Sequence, residues 1–240
     1  MNNLLNHGIV EVATLVPNEV KIANPKFNVD EMLRLLDNVI EENKLYLSEL
    51  DAAIGDGDHG LNMSKGFKAV VKKINDLEED DLGKILKACG MALVTNVGGA
   101  SGPLYGTALL NGSKAVAKKT CININDFIEI LQASLDGIKM IGKAMEGEKT
   151  MIDALSPALE AGRKALGENK SSKDILIAIR DAAKEGMENT KNIIATKGRA
   201  SYLDERSLGH QDAGATSMYL ILNTIAEEFM SWGESKWLEL

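Results

Sequence analysis

Apolar residues recur at three- and four-residue steps along most of the chain, a spacing that limits it to helices packed on helices. From 29 to 50, Val29, Met32, Leu33, Leu36, Val39, Ile40 and Leu47 form one stripe with acids and lysines between them. Comparable stripes run through 61–75, 81–97, 103–119, 126–145, 151–167, 172–195 and 214–231, and Thr150/Asp153 and Ser171/Asp174 have capping-box spacing. Strand signals are scarce: aromatic residues are 4% of the chain, and only 9–16 (IVEVATLV) and 121–124 (CINI) read as extended. The pattern predicts an all-α bundle of about eight helices. No proline-rich or low-complexity linker divides it, so one domain is expected from about residue 28 onward, preceded by an extension over 1–27.

Charge and cysteine usage narrow the partners. A net charge of −8 opposes any broad electrostatic grip on nucleic acid or anionic lipid, so neither nucleic acid nor membrane is expected as a partner. No apolar run reaches membrane-spanning length. Cys89 and Cys121 stand singly in apolar surroundings, as reduced thiols of a cytoplasmic protein do. The first lysine or arginine is Lys21, so a secretory leader is not expected.

The glycines gather in three interhelical segments: 55–60 (GDGDHG), 98–106 (GGASGPLYG) and 198–214 (GRASYLDERSLGHQDAG). Bundle loops are ordinarily short and polar, so three such loops point to a site at the ends of the helices. The first puts Asp51, Asp56, Asp58 and His59 close together; crowded carboxylates call for full hydration or a bound cation. Magnesium suits such a set, because it takes a few carboxylates together with water and phosphate oxygens. A hydrated, helix-capping acidic turn is the plain alternative. In the second segment, Gly99, Ala100, Ser101 and Gly102 can offer amides and a helix N-terminus to phosphate, with Pro103 in the first turn; a tight turn packed by small residues is the alternative. The third adds Arg199 as a phosphate partner, with His210 and Asp212 before the last helix.

Other motifs fail on context. Gly55, Gly57 and Gly60 match G-x-G-x-x-G, but a helix stands where the dinucleotide fingerprint needs a strand, and Asp56 and Asp58 would face a pyrophosphate unshielded. GIKMIGKA at 137–144 nearly matches a P-loop, yet Ala144 replaces the magnesium-binding hydroxyl and the stretch continues a helix. An EF-hand count from Asp56 places Phe67 where the bidentate glutamate belongs, and His7, His59 and His210 lack zinc-site spacing.

Taken together, LDAAIGDGDHG, GGASGPLYGT, EGEKTMIDAL (146–155) and KGRASYLDERSLGHQDAGATS resemble, in family order, the nucleotide-binding L subunit or L domain of dihydroxyacetone kinases. The resemblance implies a closed up-and-down barrel of eight antiparallel helices with magnesium, as two ions, and ADP or ATP at one end. It implies Asp51, Asp56 and Asp58 as the metal carboxylates and His59, Gly60, Leu61 and Asn62 as a nucleotide-contacting stretch. Gly99, Ala100 and Ser101 fall on the phosphate-facing loop, Gly142 and Met151 near the adenosine, and Arg199 with Asp212, Ala213 and Gly214 completes the pocket. His59 and Arg199 take the catalytic part by steadying phosphate charge. The turn 211–214 lacks a proline frequent in the family, and the first 27 residues exceed its compact subunit.

The activity implied is phosphoryl transfer from magnesium-bound nucleotide to dihydroxyacetone held on a separate K subunit, no second domain being visible here to hold the ketose. ADP would be recharged by the phosphohistidine carrier, or M subunit, of a phosphotransferase system. Such transfer is mostly positioning and charge stabilisation, so it needs no side-chain nucleophile. The rivals are an ATP-dependent kinase domain for another acceptor such as a fatty acid, a nucleotide-sensing coactivator bound to a transcription regulator, and a helical scaffold with a hydrated acidic loop.

Overall fold

The structure, a computed structural model, describes residues 25–231. Residues 1–24 of the expected 1–27 extension, the extended stretch expected at 9–16, His7, Trp232 and Trp237 lie outside those residues, while 25–27 already belong to the first helix. The described chain forms α1 (Pro25–Ile54), α2 (His59–Asn75), α3 (Leu82–Asn96), α4 (Ser101–Ala115), α5 (Ile124–Gly142), α6 (Ile152–Gly167), α7 (Ser172–Asn189) and α8 (Ala213–Ser231), with short 3-10 turns at Thr190–Asn192 and Arg199–Ser207. No strand occurs among the described residues.

Each helix packs on its neighbours in sequence, and α1 closes against α8, giving a barrel of alternating up and down helices. The amphipathic stripes turn inward: Ile40 and Leu47 of α1, Met63 and Val70 of α2, Ile85 of α3, Ile138 of α5 and Ile175 of α7 are all buried. Inside the ring lies an apolar cavity of about 200 Å³, lined among others by Phe67, Leu93, Ala108, Leu131, Leu155 and Met218. No helix of the described chain is long and apolar enough to cross a membrane.

Alternation fixes where the loops go. The connections 55–58, 97–100, 143–151 and 190–212 share one end of the barrel, whereas 76–81, 116–123 and 168–171 share the other. All three glycine-rich segments therefore meet at the first end.

Local chemistry moves some boundaries from those the spacing predicts. Residues 121–124 form no strand: Asn123 keeps an extended backbone, but as an N-cap whose side chain accepts from the Asp126 amide while Asp126 reciprocates, so a capping box starts α5 here. α5 stops at Gly142 because Lys143 adopts a left-handed φ of 48°. α7 ends at Asn189 rather than 195: the Thr190 hydroxyl bonds back to the Met187 carbonyl, and the carbonyls of Thr190 and Ile193 turn aside to the Lys149 ammonium.

Candidate functional site

The acidic turn is held by backbone geometry. Asp51, in the last turn of α1, accepts the amides of Asp58 at 3.0 Å and His59 at 3.2 Å, capping α2 from a neighbouring helix. That reach requires α1 and α2 to lie very close, and Gly60 permits it: a Cβ there would sit 1.8 Å from the Lys44 carbonyl oxygen. With Asp51 supplying the cap, the carboxylates of Asp56 and Asp58 remain exposed. One oxygen from each of Asp51, Asp56 and Asp58 falls within 4.8 Å of the others. Three hard oxygen donors at a helix N-terminus fit magnesium: they match its ligand preference, and a cation relieves their mutual repulsion. The Arg199 guanidinium reaches the same group, 2.8 Å from Asp56 Oδ2.

The second loop faces this turn. Gly99 takes a φ of +63°, letting the chain reverse from α3 into α4, and Asn62 of α2 lies against Gly98 and Gly99. Ala100 is the N-cap of α4 without a side-chain cap, so amides at the start of that helix are left for solvent or a ligand. The buried His59 ring joins three helices: Nδ1 lies 3.1 Å from Ser101 Oγ and Nε2 2.8 Å from Ser217 Oγ. Ser217 lies 2.7 Å from the Tyr105 hydroxyl and donates to the Gly214 carbonyl at 3.0 Å. Burial holds the His59 pKa below its ordinary value, against the opposing pull of Asp51 and Asp58, so the imidazole is neutral at pH 7. Both ring nitrogens are thus engaged in bracing Ser101 and α8.

The remaining expected residues complete the rim. Gly142 ends α5 beside Leu104. Met151 is buried just before α6, and a Cβ on Gly214 would lie 3.7 Å from its own. Asp212 accepts the Ala215 amide at 2.7 Å, capping α8. Burial, reinforced by Asp153 and Asp51, pushes the Asp212 carboxyl up to about 7 against the pull of the Ala215 amide and Lys149. Leu61 stands 55% exposed at the rim. His210 contributes its carbonyl, not its ring, to the packing.

Sequence reasoning missed the groups underneath. Tyr105 and Ser217 extend the His59 contacts, and Lys149 is buried with its ammonium bonded to the carbonyls of Thr190, Ile193 and His210. Lys149 was visible only as a lysine inside EGEKTMIDAL; nothing in its spacing marks it as buried.

This arrangement has counterparts. The family model described as "DAK2 domain" matches residues 53–227. The chain is 43% identical over 208 residues to "PEP-dependent dihydroxyacetone kinase 1, ADP-binding subunit DhaL" of Listeria innocua, covering 85% of this chain and 99% of that protein. It is 42% identical over 181 residues to the PEP-dependent dihydroxyacetone kinase ADP-binding subunit DhaL of Escherichia coli, covering 75% of this chain and 86% of that one. The dihydroxyacetone kinase of C. freundii, solved in complex with AMP-PNP and Mg2+, superposes with a TM-score of 0.66 at 25% identity over 95% of this chain, which spans 38% of the solved kinase. A helical barrel, a carboxylate turn facing a glycine loop, and identity that runs nearly the full length of two ADP-binding subunits have one reading: the chain belongs to the DAK2-domain family.

Proposed function

We propose that this protein is the ADP/ATP-binding subunit of a dihydroxyacetone kinase, passing a phosphoryl group from magnesium-bound nucleotide to dihydroxyacetone on a separate K subunit. The observation that carries it is the convergence of Asp51, Asp56 and Asp58 within 4.8 Å at the barrel end that also bears the 99–102 loop and Arg199. Magnesium, as two ions, would neutralise the carboxylates and the nucleotide phosphates together. Asp51 is fixed by two amides, and Asp56 and Asp58 are the freer ligands. Gly99, Ala100 and Ser101 present amides to phosphate, and His59 acts on that loop through Ser101. Gly60, Leu61 and Asn62 flank the nucleotide; Gly142 and Met151, with Asp212, Ala213 and Gly214, form the adenosine side. Arg199 leaves Asp56 for phosphate oxygens when nucleotide is present, stabilising charge during transfer.

A partner surface is supported by the exposed apolar side chains. Among the described residues, Leu61, Met140, Ile141, Met145, Tyr202 and Leu208 all stand exposed at the loop-bearing end, while the opposite turns expose no large apolar side chain. Such a rim suits a protein seated over the phosphates, as a ketose-holding K subunit must be. The donor reading follows the relatives: identity is 43% and 42% to subunits named PEP-dependent, against 32% to an L-erythrulose 1-kinase of which the matched part is only 35%. A phosphohistidine M subunit in the cytoplasm would then recharge bound ADP, and the same rim could present the nucleotide state to a transcription regulator.

Replacing both Asp56 and Asp58 by asparagine should abolish magnesium-dependent ADP retention, read by calorimetry, while leaving helical circular dichroism intact; unchanged retention rejects the assigned ligands. Mixing the ADP form with phosphorylated carrier or with free ATP, then adding K subunit and dihydroxyacetone, should give ketose phosphate only with the carrier. Product from ATP alone would overturn the donor assignment.

A further inference from the structure

We propose that Lys149 is a positioning residue for Arg199: its buried ammonium pins the loop that carries the arginine over the carboxylate turn. The inference rests on the reading that Arg199 meets the nucleotide phosphates.

Lys149 is 1% exposed, and an ammonium that far from water must spend its three N–H donors on protein oxygens. It donates to the carbonyls of Thr190 at 2.6 Å and Ile193 at 3.2 Å, and to that of His210. Those oxygens belong to opposite ends of one loop: Thr190 and Ile193 leave α7, and His210 approaches α8. The bonds therefore clamp the loop's neck. Around the clamp, the Gly209 amide donates to the Lys191 carbonyl at 2.8 Å and the Ala195 amide to Ser207 Oγ at 2.9 Å. Beyond the neck the chain bears Arg199, whose side chain is 65% exposed and reaches Asp56. An exposed guanidinium has little packing to aim it, so its direction is inherited from the backbone below.

Burial holds the Lys149 pKa below its ordinary value against the opposing pull of Asp212 and Asp153, and backbone bonds fix its surroundings. Asp153 accepts the amides of Gly147 and Thr150 on either side of it, and the Asp212 amide donates to Thr190 Oγ1 beside the clamp. Lys149 itself holds a left-handed φ of 61°, an uncommon conformation for lysine that directs its side chain beneath the loop. An apolar side chain here would strip the three carbonyls of their shared donor, so the charge is what ties the two ends of the loop together.

A double-mutant cycle on the full chain tests this, with MgCl2 and ADP as probe and affinity read by calorimetry. Lys149→Met and Arg199→Ala should each weaken ADP binding about tenfold, and the double variant should be no more than about twofold weaker than either. Additive losses, about a hundredfold in the double variant, would show that Lys149 supports the fold but does not aim Arg199, and would overturn the proposal alone. Undiminished affinity in Arg199→Ala would overturn the phosphate reading and the proposal with it. Should Lys149→Met not fold, the cycle is run with Lys149→Arg, whose longer, planar guanidinium keeps the charge but cannot reproduce the ammonium's compact three-way geometry; the same outcomes decide.

Discussion

Asp212 shows how strongly surroundings reshape a single residue. Its folded pKa of about 7 lies above the ordinary 3.8, so the protonated carboxyl contributes stability that is full below the ordinary value, is lost progressively as pH rises from there, and is gone once pH passes about 7. Thermal scans without magnesium should show the melting temperature falling between about pH 4 and pH 7 and levelling off above that, with this component absent in Asp212→Asn. Asparagine keeps an acceptor for the Ala215 amide, so the helix cap survives the change. Cys89 offers a second check: burial raises its thiol to about 12, so in the native protein Cys121 should react with a thiol reagent and Cys89 only after unfolding. At this scale the sequence was legible for Asp51, Asp56 and Asp58, because charges crowded among glycines are a local signal. Lys149, Tyr105 and Ser217 gave no comparable signal, since their roles depend on burial and on partners far along the chain.

Elements were read from periodicity, and the core stripe of each predicted helix does face inward. Their ends were less legible because termini are decided by a few side-chain bonds: Asn123 with Asp126 turned an apparent extended stretch into a helix start, and Lys149 drew carbonyls away from the end of α7. The contact between α1 and α2 is the most demanding junction beneath the site. Gly60→Ala would press a methyl group onto the Lys44 carbonyl, so denaturant unfolding should reveal a loss of about 1–3 kcal/mol. Separation of the two helices would also draw Asp51 off the amides of Asp58 and His59, weakening magnesium-dependent nucleotide binding in the same variant.

For the whole molecule, closure of α1 against α8 turns a string of hairpins into a ring with two different faces. One face carries the three converging carboxylates and the exposed apolar rim. Met145→Ser with Tyr202→Ser should therefore leave ADP affinity unchanged yet slow transfer to ketose on the K subunit by about tenfold or more, as loss of interface anchors does. Ring closure was not legible in the periodicity, which specifies helices but not which of them meet; it came from the family resemblance. The opposite face invites a practical use. The turn at 168–171 is separated from the end that bears the carboxylate turn by the length of α6, roughly 24 Å at helical rise. A fluorophore or affinity handle threaded into that turn would ride at the blind end of the cylinder, reporting when partners arrive without obstructing their approach.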